Sequence, residues 1–327
     1  MKIAIVGAGA VGGYVGVKLA LAGEEVTFLA RGANLEAIRS RGVKLIMNDG
    51  TELVADNVKA TADYAAAGSQ DLVILAVKAH QVESVAHALP GLFGPQTSVV
   101  TMQNGIPYWY FHRQAGAFEG RCVTAVDPRG VCVQQIPPAR VIGCVVYPAA
   151  VLEAPGIIRH IEGDRFPVGE LDGASSARVQ AVSACLTRAG LQAPVLDNIR
   201  AEIWLKLWGN MTFNPISALT RATLSEICQY PPTRSLAAAM MAEAQSVANK
   251  LGITFRVPIE RRIAGAERVG RHKTSMLQDL EAGRALEIDA LLGSVLELAR
   301  MTETPVPTLE AVHALTTLLA KPLQSGA

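Results

Sequence analysis

The sequence predicts an α/β protein: a doubly wound, mostly parallel sheet over residues 1–195, followed by a predominantly α-helical domain over 196–327. Three observations carry this reading. The chain opens as strand, glycine turn and helix. Continuous apolar stretches of strand length then alternate with helical ones. Beyond Asp197 the strand pattern gives way to helical periodicity.

The opening unit is the most specific. Ile3-Ala4-Ile5-Val6 reads as a short buried strand and Val15 to Ala20 as a helix. Gly7, Gly9 and Gly12 stand between them as G-x-G-x-x-G. The first glycine permits the tight turn, the second lets backbone approach a pyrophosphate, and the third lets helix and strand pack closely. Residues Gly7, Ala8, Gly9, Ala10, Val11 and Gly12 are therefore expected to cradle a dinucleotide at the positive end of the helix, as in a Rossmann-type domain.

Glu25 to Ala30 reads as the second strand, and Asn34 to Arg41 as a short helix. Residues 43–58 read as short strands around the turn Asn48-Asp49-Gly50. Asp71 to Val77 and Ser98 to Met102 are apolar without alternation, as expected of parallel strands covered on both faces. Residues 120–170 are rich in Val, Ile, Pro and Gly, predicting further strands, partly antiparallel. Helices are expected at 176–189, at 197–229 with an interruption at Pro215, and at 233–251, 258–270, 276–300 and 308–320, with the domain boundary just after Pro194.

Bulk properties exclude several classes. A net charge of +1 with scattered Lys and Arg gives no footprint for nucleic acid or an anionic membrane. No apolar stretch reaches the roughly 18 residues of a membrane span. The five cysteines lack a C-x-x-C pair and read as reduced core residues; with six unpatterned histidines, no metal is expected. The first residues are expected to be strand and helix rather than a targeting segment, which fits a cytoplasmic protein.

Two loops at strand ends add candidate ligands. The second strand ends Ala30-Arg31-Gly32 with no acid for a ribose 2′-hydroxyl. The Arg31 guanidinium suits a 2′-phosphate, pointing to NADP(H), although a solvated arginine fits the same position. The loop Val77 to Gln81 offers Lys78, either to neutralise a cofactor phosphate or as a solvated lysine. Gln103-Asn104-Gly105 follows the next strand, where Gly105 suits an unusual turn presenting Asn104.

In the second half, Lys206, Asn210 and Asn214 recur every fourth residue and form one polar stripe on a helix otherwise made of Ile, Trp, Leu, Met and Phe. Such a stripe costs several kcal/mol unless partners satisfy it. It predicts an ammonium shielded among indole rings; a snorkelling lysine is the alternative. Ser275 and Gln278 fit a helix-start capping box. On one straight helix Ser275 and Glu287 would lie about 18 Å apart; Gly283, by ending a short helix, would let both reach one pocket.

Together these residues resemble the ketopantoate reductase family: G-A-G-A-V-G at 7–12, Arg31, Lys78, Q-N-G at 103–105, P-G at 155–156, W-L-K-L-W-G-N at 204–210, N-P at 214–215, S-M-L-Q-D at 275–279 and E-I-D at 287–289. The resemblance spans both halves in the family's order. It implies a Rossmann domain joined to a helical domain with a cleft between them, and NADPH-dependent reduction of a 2-oxo acid, 2-dehydropantoate in the namesake, to a 2-hydroxy acid. It makes Lys206 the general acid and Glu287 the catalytic glutamate that holds the substrate hydroxyl. It gives Asn104, Asn210, Asn214 and Ser275 hydrogen bonds to substrate, Asn104 also facing the cofactor, and it adds Gln81 to the cofactor set. The substrate carboxylate is expected to be held mainly by neutral donors. The oligomeric state stays open, a homodimer included.

Two features depart from the family pattern. His272 stands where many members carry asparagine. The aromatic run Tyr108-Trp109-Tyr110-Phe111-His112 suits either a larger substrate or a structural cap or subunit contact. A paralogue acting on another carbonyl or imine, and a silent NADPH-binding protein, are therefore the competing functions.

Overall fold

The computed structural model describes residues 1–324. It resolves into two compact units: one of residues 1–103, 111–122 and 129–199, the other of 104–110, 123–128 and the chain from Arg200 onward.

The first unit is built on β1 (Lys2–Val6), β2 (Glu25–Leu29), β3 (Val43–Ile46), β4 (Glu52–Ala55), β5 (Lys59–Thr61), β6 (Gln70–Leu75), β7 (Phe93–Thr101), β8 (Val141–Cys144), β9 (Ala149–Ala154), β10 (Ile157–Glu162) and β11 (Val168–Gly169). The large sheet runs β11-β8-β7-β6-β1-β2-β5, parallel except where β11 pairs antiparallel with β8. Ile5 pairs with Phe28 on one side and Ile74 on the other, and all three are fully buried. The apolar strands are thus continuous because both faces of the sheet are covered.

Helices α1 (Ala10–Leu21), α2 (Gly32–Arg41) and α6 (Ala177–Arg188) belong to this unit, with the short α3 (Tyr64–Ala67), α4 (Val82–Ala86) and α5 (Val131–Gln135). The sequence does not anticipate a second sheet of order β4-β3-β10-β9, in which β3 and β10 run parallel and the outer pairs antiparallel. Strand order in the large sheet reverses between β1 and β6, the position at which such sheets bind ligands beyond their carboxyl ends.

The second unit is helical: α7 (Ile199–Thr220), α8 (Leu224–Gln229), α9 (Pro231–Lys250), α10 (Ile259–Arg268), α11 (Ser275–Glu281), α12 (Ser294–Met301) and α13 (Pro307–Gln324). Its core gathers Trp204, Trp208, Met211, Met240, Met241, Leu292 and Leu298, all essentially without exposure. Trp208 Nε1 donates to the Met241 carbonyl at 2.8 Å, tying α7 to α9, and Phe255 stacks on the same indole. Glu243 accepts from the backbone of Thr308 and Leu309, both at 2.9 Å, capping α13.

Three expectations need correction. Helix α7 is not interrupted at Pro215 but passes through it. The imide removes one backbone bond, yet Phe213, Ile216 and Ala218 are buried around it, and packing outweighs that loss. The chain turns instead at Arg221, whose φ is +60°, and a Thr223–Glu226 capping box opens α8. The stretch 276–300 is not one helix: α11 ends at Glu281, Gly283 adopts φ +65°, and a five-residue π-turn over Asp289–Gly293 leads into α12. Finally, α11 is capped by Thr274, whose hydroxyl accepts from Leu277 N, and not by Ser275, which occupies the first helical position. No helix among the described residues is long and apolar enough to cross a membrane.

Candidate active site

In the first unit the glycine turn lies at the β1–β6 switch. Gly7 has φ +101°, and a Cβ there would come within 2.9 Å of the Val77 backbone nitrogen. A Cβ on Gly12 would overlap the Gly7 carbonyl oxygen, so both positions demand glycine. Gly9 differs: a Cβ there would meet nothing within 4 Å and would project into open space at the α1 N-terminus. That terminus has no side-chain cap and no acid in its first turn. Its backbone donors and open cradle fit a pyrophosphate.

The loop is held by Asn34, a residue the sequence did not single out. Its Nδ2 donates to the Ala8 carbonyl at 2.6 Å while its Oδ1 accepts from Gly156 N at 2.7 Å. The Pro155-Gly156 turn thereby braces the cradle. Arg31 follows β2 as the exposed residue that precedes α2, whose first turn holds no acid. Lys78 is half-buried past β6, and its backbone N–H donates to Gln81 Oε1 at 3.2 Å. Gln103 is structural: its amide donates to the carbonyls of Leu75 and Val77 at 2.7 and 2.9 Å, fastening the ends of β6 and β7.

The second unit brings Asn104, Lys206 and Glu287 together, although 102 and 183 residues separate Asn104 from its partners. Lys206 Nζ donates to Asn104 Oδ1 at 2.7 Å, and Asn104 Nδ2 donates to Glu287 Oε2 at 3.4 Å. The charges fix the amide's direction, oxygen towards the ammonium and nitrogen towards the carboxylate. Gly105 makes this possible. With φ +89°, it lies so near the π-turn that a Cβ would overlap the Ala290 carbonyl, which also accepts from Ile106 N at 3.1 Å. The Q-N-G turn thus docks three residues beyond Glu287 and holds Asn104 against it.

Asn210 lies half-buried and Asn214 buried further along the α7 stripe. Asn214 Nδ2 donates to Ser275 Oγ at 3.4 Å, so the start of α11 meets the stripe. His272 is half-buried just before α11.

One site expectation is overturned, and one open alternative is narrowed. Indole rings do not enclose Lys206. At about 100° per residue, positions 204 and 208 lie on the opposite side of α7, where Trp204 and Trp208 are fully buried in the core while Lys206 is half-buried. Of the two readings of the aromatic run, the structural one fits: Tyr108, Trp109, Tyr110 and Phe111 are all buried. Tyr110 accepts from Trp204 Nε1 at 2.7 Å through its hydroxyl and from Arg200 Nε at 2.6 Å through its carbonyl, anchoring the start of α7.

A doubly wound sheet with a glycine cradle at its switch point defines a dinucleotide-dependent oxidoreductase, and an ammonium aligned by an amide suits carbonyl chemistry. Residues 3–173 match the family model "Ketopantoate reductase PanE/ApbA", and residues 198–320 match "Ketopantoate reductase PanE/ApbA C terminal". The chain belongs to the ketopantoate reductase family. It is 54% identical to the 2-dehydropantoate 2-reductase of Mesorhizobium japonicum over 98% of both chains. It is 30% identical to that of Pyrococcus horikoshii over 94% of this chain and 93% of the other. Among solved structures, a ketopantoate reductase-like protein from Ralstonia solanacearum MolK2 superimposes with a TM-score of 0.94, at 44% identity, over 98% of both chains.

Proposed function

We propose that this protein reduces 2-dehydropantoate to pantoate with NADPH, Lys206 donating the proton. The observation that carries the reading is the Lys206–Asn104–Glu287 array. The reduced nicotinamide, when bound, supplies hydride to the carbonyl carbon. The work left to this chain is to bind, orient and protonate. The first unit takes the dinucleotide: backbone N–H groups of the Gly7–Gly12 turn face the pyrophosphate, while Arg31 meets the 2′-phosphate and Lys78, with Gln81 bracing its loop, adds positive charge.

In the second unit Lys206 directs its ammonium at the keto oxygen, where negative charge develops as hydride arrives, and transfers a proton there. Asn104 fixes the direction of Nζ, so little reorganisation accompanies the transfer. Glu287, reached through the same amide, accepts a hydrogen bond from the substrate hydroxyl. Asn210, Asn214 and Ser275 supply neutral hydrogen bonds around the acid.

The test follows loss of reduced-nicotinamide absorbance when purified protein meets 2-dehydropantoate and NADPH, against a panel of other 2-oxo acids and against NADH. The reading expects turnover with the highest kcat/KM for 2-dehydropantoate and NADPH. No turnover with that acid, or a clear preference for another carbonyl compound, overturns it.

A further inference from the structure

The break between α11 and Glu287 is closed by two residues that no step of the proposed reaction uses. Helix α11 ends in a Schellman turn: with Gly283 at φ +65°, Gly283 N donates to the Leu280 carbonyl at 3.1 Å and Arg284 N to the Asp279 carbonyl at 2.8 Å. The two residues joined by the longer loop of such a turn commonly share an apolar contact. Here they meet through charge, Arg284 Nε donating to Asp279 Oδ1 at 2.9 Å. Asp279 is 7% exposed, whereas the Arg284 side chain is 54% exposed. The carboxylate is thus the buried member, and the guanidinium folds back to reach it.

This clasp shortens the chain's reach just before the site. Ser275, which meets Asn214, precedes Asp279 by one helical turn, about 6 Å. Glu287, which meets Asn104, follows Arg284 by three residues, a span of at most about 10 Å. Without the clasp, the eight residues from Asp279 to Glu287 could stretch to roughly 27 Å. Beyond Arg284, Leu286 and Ile288 are buried on either side of half-buried Glu287, whose carbonyl accepts from Leu291 N at 3.3 Å as the π-turn opens. Residues 281–285 are all exposed, so packing does little to hold the return and the ion pair does so instead.

We propose that Arg284, clasped to Asp279, is a positioning residue for Glu287: it keeps that carboxylate at Asn104 and in reach of the substrate hydroxyl, and so supports selection of a hydroxylated 2-oxo acid. The inference rests on the reductase reading above, in which Glu287 accepts a hydrogen bond from that hydroxyl. In the competing account the pair only braces the end of α11, as Lys273 does when it donates to the two Glu281 oxygens at 2.8 and 2.9 Å.

The experiment compares the wild type with Arg284→Ala, Arg284→Lys, Asp279→Asn and, as a control, Glu281→Gln. Each is assayed on 2-dehydropantoate and on trimethylpyruvate, which lacks only the hydroxyl, with amide hydrogen exchange of residues 285–291 measured in parallel. Displacing the hydroxyl's acceptor in Arg284→Ala should raise KM for 2-dehydropantoate about tenfold while KM for trimethylpyruvate stays within about threefold, so that the preference between them collapses. Arg284→Lys should recover part of that preference. Exchange over 285–291 should quicken about tenfold or more in Arg284→Ala and Asp279→Asn but not in Glu281→Gln. Equal KM losses on both acids, an unchanged preference, no preference in the wild type, the same collapse in Glu281→Gln, or unchanged exchange overturns the assignment. If Asp279→Asn does not fold, Arg284→Ala and Arg284→Lys decide. A discriminating wild type with an insensitive Arg284 refutes the clasp alone. A wild type that reduces neither acid refutes the reductase reading, and exchange over 285–291 then decides whether Arg284 holds the Glu287 segment.

Discussion

The carbonyl of Ala290 approaches Gly105 so closely that any side chain at Gly105 would overlap it, its carbonyl carbon lying 2.5 Å from where a Cβ would stand. This contact fastens the turn bearing Asn104 to the π-turn just past Glu287. Gly105→Ala combines that overlap with a φ of +89° that L side chains rarely adopt. It should cost roughly 2–4 kcal/mol of stability and loosen the array. Urea unfolding and kcat measured together check this: an alanine variant with unchanged midpoint and rate contradicts it.

Cofactor choice turns on Arg31. The exposed guanidinium past β2 has no acid in the first turn of α2 to compete for it. Arg31→Ala should weaken NADPH by about tenfold or more while changing NADH far less. Fluorescence titration with both dinucleotides reads the difference, and equal losses would count against a 2′-phosphate contact.

The fold's acid sensitivity has an identifiable contributor in the first unit. Burial alone would raise the Glu170 carboxyl, but hydrogen bonds from Arg178 and Ser176 outweigh it and hold the group below its ordinary 4.5. Arg178 donates twice, at 2.6 Å each, and Ser176 once at 2.5 Å. Because the folded value is depressed, the stabilisation is fully present above the unfolded value and is lost as pH falls through the folded one. Arg178 is a third exposed, so solvent screening limits the gain. Glu170→Gln should therefore cost about 1–2 kcal/mol near neutrality, and the gap to wild type should close as pH drops below 4.5. A gap that persists unchanged in acid would refute the assignment.

Much of this was legible in the residues themselves. The glycine cradle was, because a strand, a turn and a helix must follow one another locally and only glycine satisfies Gly7 and Gly12. The Lys206 stripe was too, since its four-residue period is a property of one helix. The positions of Trp204 and Trp208 were available from the same period: two residues from Lys206 is about 200° of rotation, which sends both indoles to the core. The aromatic run 108–112 stayed undecided because aromatic content does not say which side faces solvent. Pairings that depend on distant chain crossings carried no local signal. The amide of Asn104 meets partners more than 100 residues away, and the strand pair β9–β10 joins β3 across the chain.

The most direct measurement is steady-state turnover of Lys206→Ala beside its NADPH dissociation constant. The account predicts a fall in kcat of roughly 10²–10⁴-fold, as expected for removal of a positioned general acid, with NADPH binding kept within about threefold because the cradle lies on other residues. Turnover close to wild type in this variant would contradict it.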